Sequence, residues 1–170
     1  MANVALAEWT DPTSPGQNGE TQIFVAAKEG HVEVVKLLLE NGAHVATPDN
    51  DGCTPVFAAA KEGYVEIVKL LVENGADITT PNDDGLTPIC AAASHGLVEA
   101  VKLLLENGAD VTTANKNGWT PVFAAATTGY VDVVKLLVEN GADVTTTDNY
   151  GRTPVYAAAT KGHVEMVKVL

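Results

Sequence analysis

Glycine recurs at one fixed interval along this chain of 170 residues. The recurring glycines stand 33 residues apart, at Gly19, Gly52, Gly85, Gly118 and Gly151. Around the last four of them the chain reads G-x-T-P. A constant period of this size indicates near-identical units stacked on one another, because each unit alone cannot bury its apolar face. The fold is therefore a stack, and a specific function depends on the positions at which the copies differ.

Composition restricts both the core and the partner. Hydrophobic residues make up 46% of the chain but aromatic residues only 5%, so alanine, valine and leucine must form thin, closely packed layers. The formal net charge is -12, and lysine and arginine are not clustered. Binding to phosphates requires such clusters, so the sequence predicts neither a nucleic acid nor a membrane as partner. A basic or polar protein surface fits this charge better.

Cysteine and histidine are placed without the spacing of a disulfide framework or a metal site. Cys53 falls at a loop tip and Cys90 inside a helix, so the two are not equivalent in the repeat. This usage favours a reducing, intracellular and cytoplasmic setting. His44 and His95 have no Cys or His at ligand spacing, which predicts no metal and no cofactor. The first nine residues lack the basic residue of a signal peptide.

One unit, residues 51–83, shows how each repeat is expected to fold. Thr54 can cap a first helix through its hydroxyl, and the proline after it suits the first helical turn. Gly63 is expected to end this helix. A second helix is predicted from about Val65 to Glu73, with a wide apolar arc and one polar stripe, and Gly75 closes it in a left-handed conformation. A turn-rich, extended connection leads into the next unit.

These patterns resemble the ankyrin repeat, whose units read T-P-L-H-x-A-A, then G-H, then an apolar helix and N-G-A-D. The matching segments are Thr54-Pro55, Ala59-Ala60, Gly30-His31, Gly162-His163 and Asn74-Gly75-Ala76-Asp77, with copies of the last at Asn107 and Asn140. The resemblance covers residues 18–170. It implies an all-α solenoid, an ankyrin repeat stack of helix-turn-helix units joined by extended hairpin loops.

The chain departs from the family pattern at two places. The histidine of T-P-L-H is replaced in every unit, by Phe24, Phe57, Cys90, Phe123 and Tyr156. This replacement predicts apolar packing between repeats where the family has a polar network. The first unit also carries Thr21-Gln22 in place of Thr-Pro.

The repeat register predicts the division of the chain. An N-terminal cap, a degenerate half repeat, spans 1–17, and the repeats span 18–50, 51–83, 84–116, 117–149 and, truncated, 150–170. Residues 2–8 are interpreted as the degenerate remnant of a second helix that covers the first repeat. The alternative is a disordered leader.

The other end keeps an apolar face. Leu170 aligns with Leu71, and no polar replacement occurs at Val164, Val167 or Leu170. These three residues are predicted to form a stacking or dimer face. Two interpretations remain open: a segment of a longer array, or a homodimer joined end to end.

The copies differ most at the turn and at the end of the first helix, which the resemblance implies are the partner-contacting positions. The residues after the turn glycine are Glu20, Cys53, Leu86, Trp119 and Arg152. Tyr150 precedes the last glycine, and Ser94 and Thr127 are small polar residues near the ends of their first helices. Exposed Trp, Tyr and Arg are typical of interface hot spots. The predicted partner-binding residues are Leu86, Trp119, Tyr150, Arg152, Ser94 and Thr127. Alternatively, Trp119 and its neighbours only stiffen the hairpins.

No nucleophile–base pair, phosphate loop or metal cluster stands out in the sequence. The resemblance to ankyrin repeats implies the leading hypothesis, a non-enzymatic scaffold that binds a partner protein through the concave face. A structural spacer in a larger ankyrin-containing protein is the second hypothesis. A dimer joined through the open C-terminal face is the third.

Overall fold

The structure is a computed structural model that describes residues 15–170. In this range the chain forms ten α-helices and no β-strand, preceded by a short 3-10 turn at Gln17–Gly19. Inner and outer helices alternate. The inner helices are α1 (Gln22–Lys28), α3 (Pro55–Glu62), α5 (Pro88–Ser94), α7 (Pro121–Thr128) and α9 (Pro154–Thr160). The outer helices are α2 (Val32–Glu40), α4 (Val65–Glu73), α6 (Val98–Glu106), α8 (Val131–Glu139) and α10 (Val164–Val169).

Every inner helix begins at a threonine cap. The hydroxyl of each threonine accepts a hydrogen bond from the backbone N–H three residues later, as from Phe57 to Thr54 at 3.3 Å. Thr21 does the same with Phe24, although no proline follows it. The departure at Thr21-Gln22 therefore leaves the start of α1 intact, because the hydroxyl and not the proline satisfies the free N–H.

The helices lie in two layers, and each repeat packs on the next. Inner helices contact the inner helices of adjacent repeats, and outer helices contact outer helices in the same way. One continuous apolar core runs between the layers from Ile23 to Met166. The predicted ankyrin repeat stack is confirmed.

The residues that replace the family histidine pack as predicted in four of the five repeats. Phe24, Phe57, Cys90 and Phe123 are all buried, and burial raises the pKa of the Cys90 thiol to about 12. Tyr156 is exposed, because no following repeat covers it within the chain.

Backbone hydrogen bonds join the hairpins into a ladder. Each bond runs from the N–H of a residue just before one tip to the carbonyl of the preceding tip. The four bonds are Asn50 to Asn18 at 2.8 Å, Asp83 to Asp51 at 2.9 Å, Lys116 to Asp84 at 3.0 Å and Asn149 to Asn117 at 3.1 Å. Neighbouring tips are therefore held edge to edge.

A carboxylate reinforces the loop that follows three of the outer helices. The Asp77 carboxylate accepts hydrogen bonds from the Thr79 N–H and hydroxyl, both at 2.7 Å, and from the Thr80 hydroxyl at 2.9 Å. Asp110 and Asp143 are bonded in the same manner to the threonine two residues later. These bonds lower the pKa of each carboxyl, the threonine hydroxyl and N–H being the main causes.

Acid is expected to weaken the stack through these loops. A depressed pKa in the folded state contributes stability that is present above the ordinary value of 3.8 and lost as the pH falls through the folded value. Replacing Asp77, Asp110 and Asp143 with Asn should therefore lower the urea midpoint at pH 7, and the gap to the parent should narrow below about pH 5. Asp83→Asn is the control, since the Asp83 carboxylate accepts no hydrogen bond from the described residues. A gap that stays constant down to pH 3 would contradict this origin of the acid sensitivity.

The two ends of the stack leave apolar positions open. Val34 is 45% exposed in α2, whereas Ile67 at the same position in α4 is fully buried. Val164 is 64% and Val167 41% exposed, whereas Leu170 is partly buried against the core. The predicted covering helix at residues 2–8 lies outside the described residues. Within residues 15–170, no helix is long and apolar enough to cross a bilayer.

Candidate protein-interaction surface

An Asp or Asn three residues before the turn glycine holds four of the five hairpin tips, all except the first. Its Oδ1 atom accepts the N–H groups two and four residues later, at distances between 2.8 and 3.0 Å. The residues in this row are Asp49, Asn82, Asn115 and Asp148. Because the bonded groups flank the tip on both sides, the tip residues stand on a fixed backbone. We call the hairpin tips, together with the inner-helix residues beside them, the tip surface.

Leu86 and Ser94 line one groove of the tip surface. The groove lies between the hairpins of repeats two and three and has a volume of about 400 Å³. Phe57 and Ala91 contribute apolar lining. The Ser94 hydroxyl donates to the Ala91 carbonyl at 2.8 Å, so the hydroxyl hydrogen is already used within α5. Leu86 itself is half-buried.

Carboxylates surround this groove. Asp51, Asp83 and Asp84 line it together with one lysine, Lys61, and none of these four forms an ion pair with another residue in the range 15–170. The outer helices differ, since Lys36 there contacts both Glu33 and Glu66 at 3.1 Å. The tip surface at repeats two and three is therefore open to a partner that carries positive or polar groups.

Trp119 is half-buried and packs against a residue of its own repeat. Its ring lies 5.3 Å from that of Phe123, at an interplanar angle of 36°. Its carbonyl accepts the Asn115 N–H at 3.0 Å. The Trp119 ring therefore packs against its own repeat and leaves part of its surface accessible.

Thr127 lies on the same inner helix. Its hydroxyl donates to the Phe123 carbonyl at 2.9 Å, and its carbonyl accepts a hydrogen bond from His163 Nε2 at 3.1 Å. The side chain is half-buried, and its hydroxyl hydrogen is already used within α7. Thr127 therefore presents only a small polar side chain on the tip surface.

Tyr150 is the most exposed of the predicted residues, at 80%. The Arg152 guanidinium carbon lies 5.1 Å from the centre of its ring. Arg152 also donates to Asp148 Oδ2 through Nε at 2.8 Å and Nη2 at 2.6 Å. The Asp148 side chain is completely buried. Burial raises the pKa of Asp148, but hydrogen bonds from Arg152 and from two backbone N–H groups outweigh it and hold the pKa below its usual range.

The structure thus brings the predicted residues together in three places along the stack. Leu86 joins Ser94 in a groove, Trp119 and Thr127 both contact Phe123, and Arg152 joins Tyr150. Among residues 15–170 the ring of Trp119 pairs with Phe123 and not with Tyr150. The sequence reasoning missed Asp148 and its row, although an Asp or Asn three residues before four of the turn glycines is visible in the sequence.

The two cysteines are free and poorly suited to nucleophilic chemistry. Burial raises the pKa of the half-buried Cys53 thiol, and the Asn82 amide at 3.7 Å only partly offsets it. In the part of the chain that the structure describes, no group of His, Cys, Asp or Glu has the arrangement of a metal site.

Comparison with protein families identifies the class to which this surface belongs. The family model described as ankyrin repeats (3 copies) matches residues 2–82 and 79–148, and the ankyrin repeat model matches residues 150–170. The chain belongs to the ankyrin repeat family. Members of this family are generally protein–protein interaction modules and are typically non-enzymatic. A search of curated proteins finds no match to this chain.

Proposed function

We propose that this protein is a non-enzymatic scaffold that binds a partner protein through hairpin tips and inner helices of the concave face. The binding surface comprises Leu86, Trp119, Tyr150, Arg152, Ser94 and Thr127. The observation that carries the proposal is Tyr150, a large side chain 80% exposed on a tip that Asp148 holds in place. A rigid, exposed aromatic residue loses little conformational entropy on binding, which makes it an efficient anchor.

Features elsewhere in the stack also support a protein as the partner. The groove at Leu86 has an apolar floor and is lined by three carboxylates and one lysine, an excess of negative charge that suits a polar or basic segment and repels phosphate groups. The two free thiols support an intracellular, cytoplasmic setting, where thiols remain reduced.

A double variant tests this function. Replacing Trp119 and Tyr150 together with Ala should reduce the affinity for the natural partner at least tenfold, since truncated hot-spot aromatics typically cost about 2 kcal/mol or more each. The partner is defined by capture on immobilised wild-type protein, and its dissociation constant is then measured by calorimetry with both forms.

The matched control replaces Tyr64 and Tyr130 with Ala. These tyrosines are 38% and 40% exposed, less than Tyr150 and more than the half-buried Trp119, and lie at the opposite ends of the inner helices from the hairpins. The control variant should retain the partner. Equal binding by all three proteins would contradict the proposal, and a large loss of thermal stability in the Trp119 variant with unchanged binding would favour a purely stiffening role.

A second role is favoured by the apolar face of Val164, Val167 and Leu170. Val134, the counterpart of Val167 in the preceding outer helix, is fully buried by the next repeat. The same face can be covered by a further repeat in a larger ankyrin-containing protein, which makes the stack a spacer, or by a second copy. The mass of this chain in solution separates the two: a dimer that Val167→Lys dissociates supports the second copy, and a monomer excludes it.

A further inference from the structure

We infer that Asp148 and Arg152 are positioning residues, which act on the partner through Tyr150 and not by direct contact. This inference rests on the proposed function and refines it at one residue: Arg152 belongs to the binding surface as the support of Tyr150 and not as a direct contact. It makes Tyr150 a preorganised anchor and the guanidinium its support.

The Arg152 guanidinium is already engaged on two sides within the hairpin. The planar guanidinium uses two of its donors on one buried carboxylate oxygen, and it lies 5.1 Å from the Tyr150 ring centre. Arginine combines bidentate bonding with stacking on an aromatic face because its donors form a rigid plane. An arginine held in this way is engaged before any partner arrives.

The contacts of the Asp or Asn that holds the tip differ between the last hairpin and the three before it. All four hairpins use Oδ1 of the Asp or Asn in the same way. Only Asp49 and Asp148 have a second carboxylate oxygen, and of these two only Asp148 has a charged partner on it among the described residues. The residues in the position of Arg152 are Cys53, Leu86 and Trp119 in the other hairpins. The additional clamp therefore coincides with the hairpin that carries the most exposed aromatic side chain.

Tyr150 is exposed because of its position in the repeat, directly before the turn glycine. The equivalent residues Asp51, Asp84 and Asn117 are also exposed, although each has a following repeat packed beside it. A side chain at this position faces outward in every repeat. Fixing its rotamer before binding removes an entropy cost of about 0.5–1.5 kcal/mol, which corresponds to roughly two- to tenfold in affinity.

The test uses Asp148→Asn and Arg152→Lys in the full chain. Asn already holds the hairpins at Asn82 and Asn115, so D148N keeps both backbone bonds to Oδ1 and removes only the charged clamp. R152K keeps the positive charge but loses the planar fork. Peptides selected on the wild-type protein from a random display library serve as the probe, and their dissociation constants are measured for each variant.

Each variant is expected to weaken binding roughly two- to tenfold and to cause no further loss in a Y150A background. In partner-free protein, nuclear magnetic resonance should show a separate, slowly exchanging Arg152 Nε–H signal that D148N abolishes. A wild-type affinity for R152K, a further loss in the Y150A background, or no such signal in the wild type would overturn the inference. Peptides unaffected by Y150A and W119A, or a library that yields none, would instead count against the proposed function, and the signal still decides the role of Arg152.

Discussion

Replacing Gly118 with Ala is expected to destabilise the stack far more than the same change at Gly151. Both glycines occupy the same position of G-x-T-P and have similar positive φ angles, +80° and +75°. Both variants therefore carry the backbone penalty of a left-handed alanine, about 1–2 kcal/mol. A Cβ atom at Gly118, however, would lie 2.8 Å from the Asn149 N and 3.0 Å from the Asp148 Cα, whereas nothing lies within 4 Å at Gly151.

The difference between the two variants isolates the contact between hairpins. Backbone atoms cannot rotate away, so the hairpin of the next repeat must move. Two hydrogen bonds between the hairpins then weaken, Asn149 N to Asn117 O at 3.1 Å and Asn149 Nδ2 to Lys116 O at 2.8 Å. At about 0.5–1.5 kcal/mol each, they predict an additional cost of roughly 1–3 kcal/mol for Gly118→Ala. Urea unfolding measures it, and equal free energies of unfolding for the two variants would show that the hairpins do not support one another.

Replacing Leu104 with Ala should cost roughly 2–5 kcal/mol, because the side chain is fully buried and the cavity can collapse only in part. Leu104 lies on α6, which packs against α4 on one side and α8 on the other. In a stack of this kind stability depends on the contacts between nearest neighbours. A defect in the central repeat therefore weakens two interfaces at once, and the unfolding transition should broaden.

Leu170 provides the control, since it occupies the same register of the repeat, directly after the last residue of α10, and is only partly buried. Leu170→Ala should cost about 1 kcal/mol or less. Calorimetric and urea unfolding of the two variants give the comparison. Equal costs, or a transition for Leu104→Ala as sharp as that of the parent, would contradict coupling through the central repeat.

Most of the fold could be predicted from the repeat period of the sequence. The prediction of a second helix from Val65 to Glu73 is confirmed residue for residue, and Gly63 and Gly75 end their helices with φ of +82° and +87°. These features follow from local chemistry, namely apolar spacing, a hydroxyl cap and a residue without Cβ. They repeat in every unit, so each copy supports the interpretation of the others. The apolar packing of Phe57 and Phe123 was predictable for the same reason.

The side-chain contacts at the hairpin tips could not be predicted from the sequence in the same way. Trp119 and Tyr150 both occur at hairpin tips, yet one ring packs on Phe123 and the other extends into solvent. Side-chain direction at a turn depends on the hairpin geometry, which the spacing of residues does not contain. The ion pair between Asp148 and Arg152 could not be predicted for the same reason. Residues four apart in sequence are usually neighbours on a helix, but these two contact each other across a turn.

The most direct test of the central claim is amide hydrogen exchange of the wild-type protein with and without its captured partner, or with a peptide selected from the display library. The account predicts slowed exchange at hairpin amides of repeats three to five, within 82–86, 115–119 and 148–152, and in α5 and α7, while the outer helices remain unchanged. Slowed exchange confined to α4, α6 and α8 would place the partner on the opposite side of the stack and contradict the account.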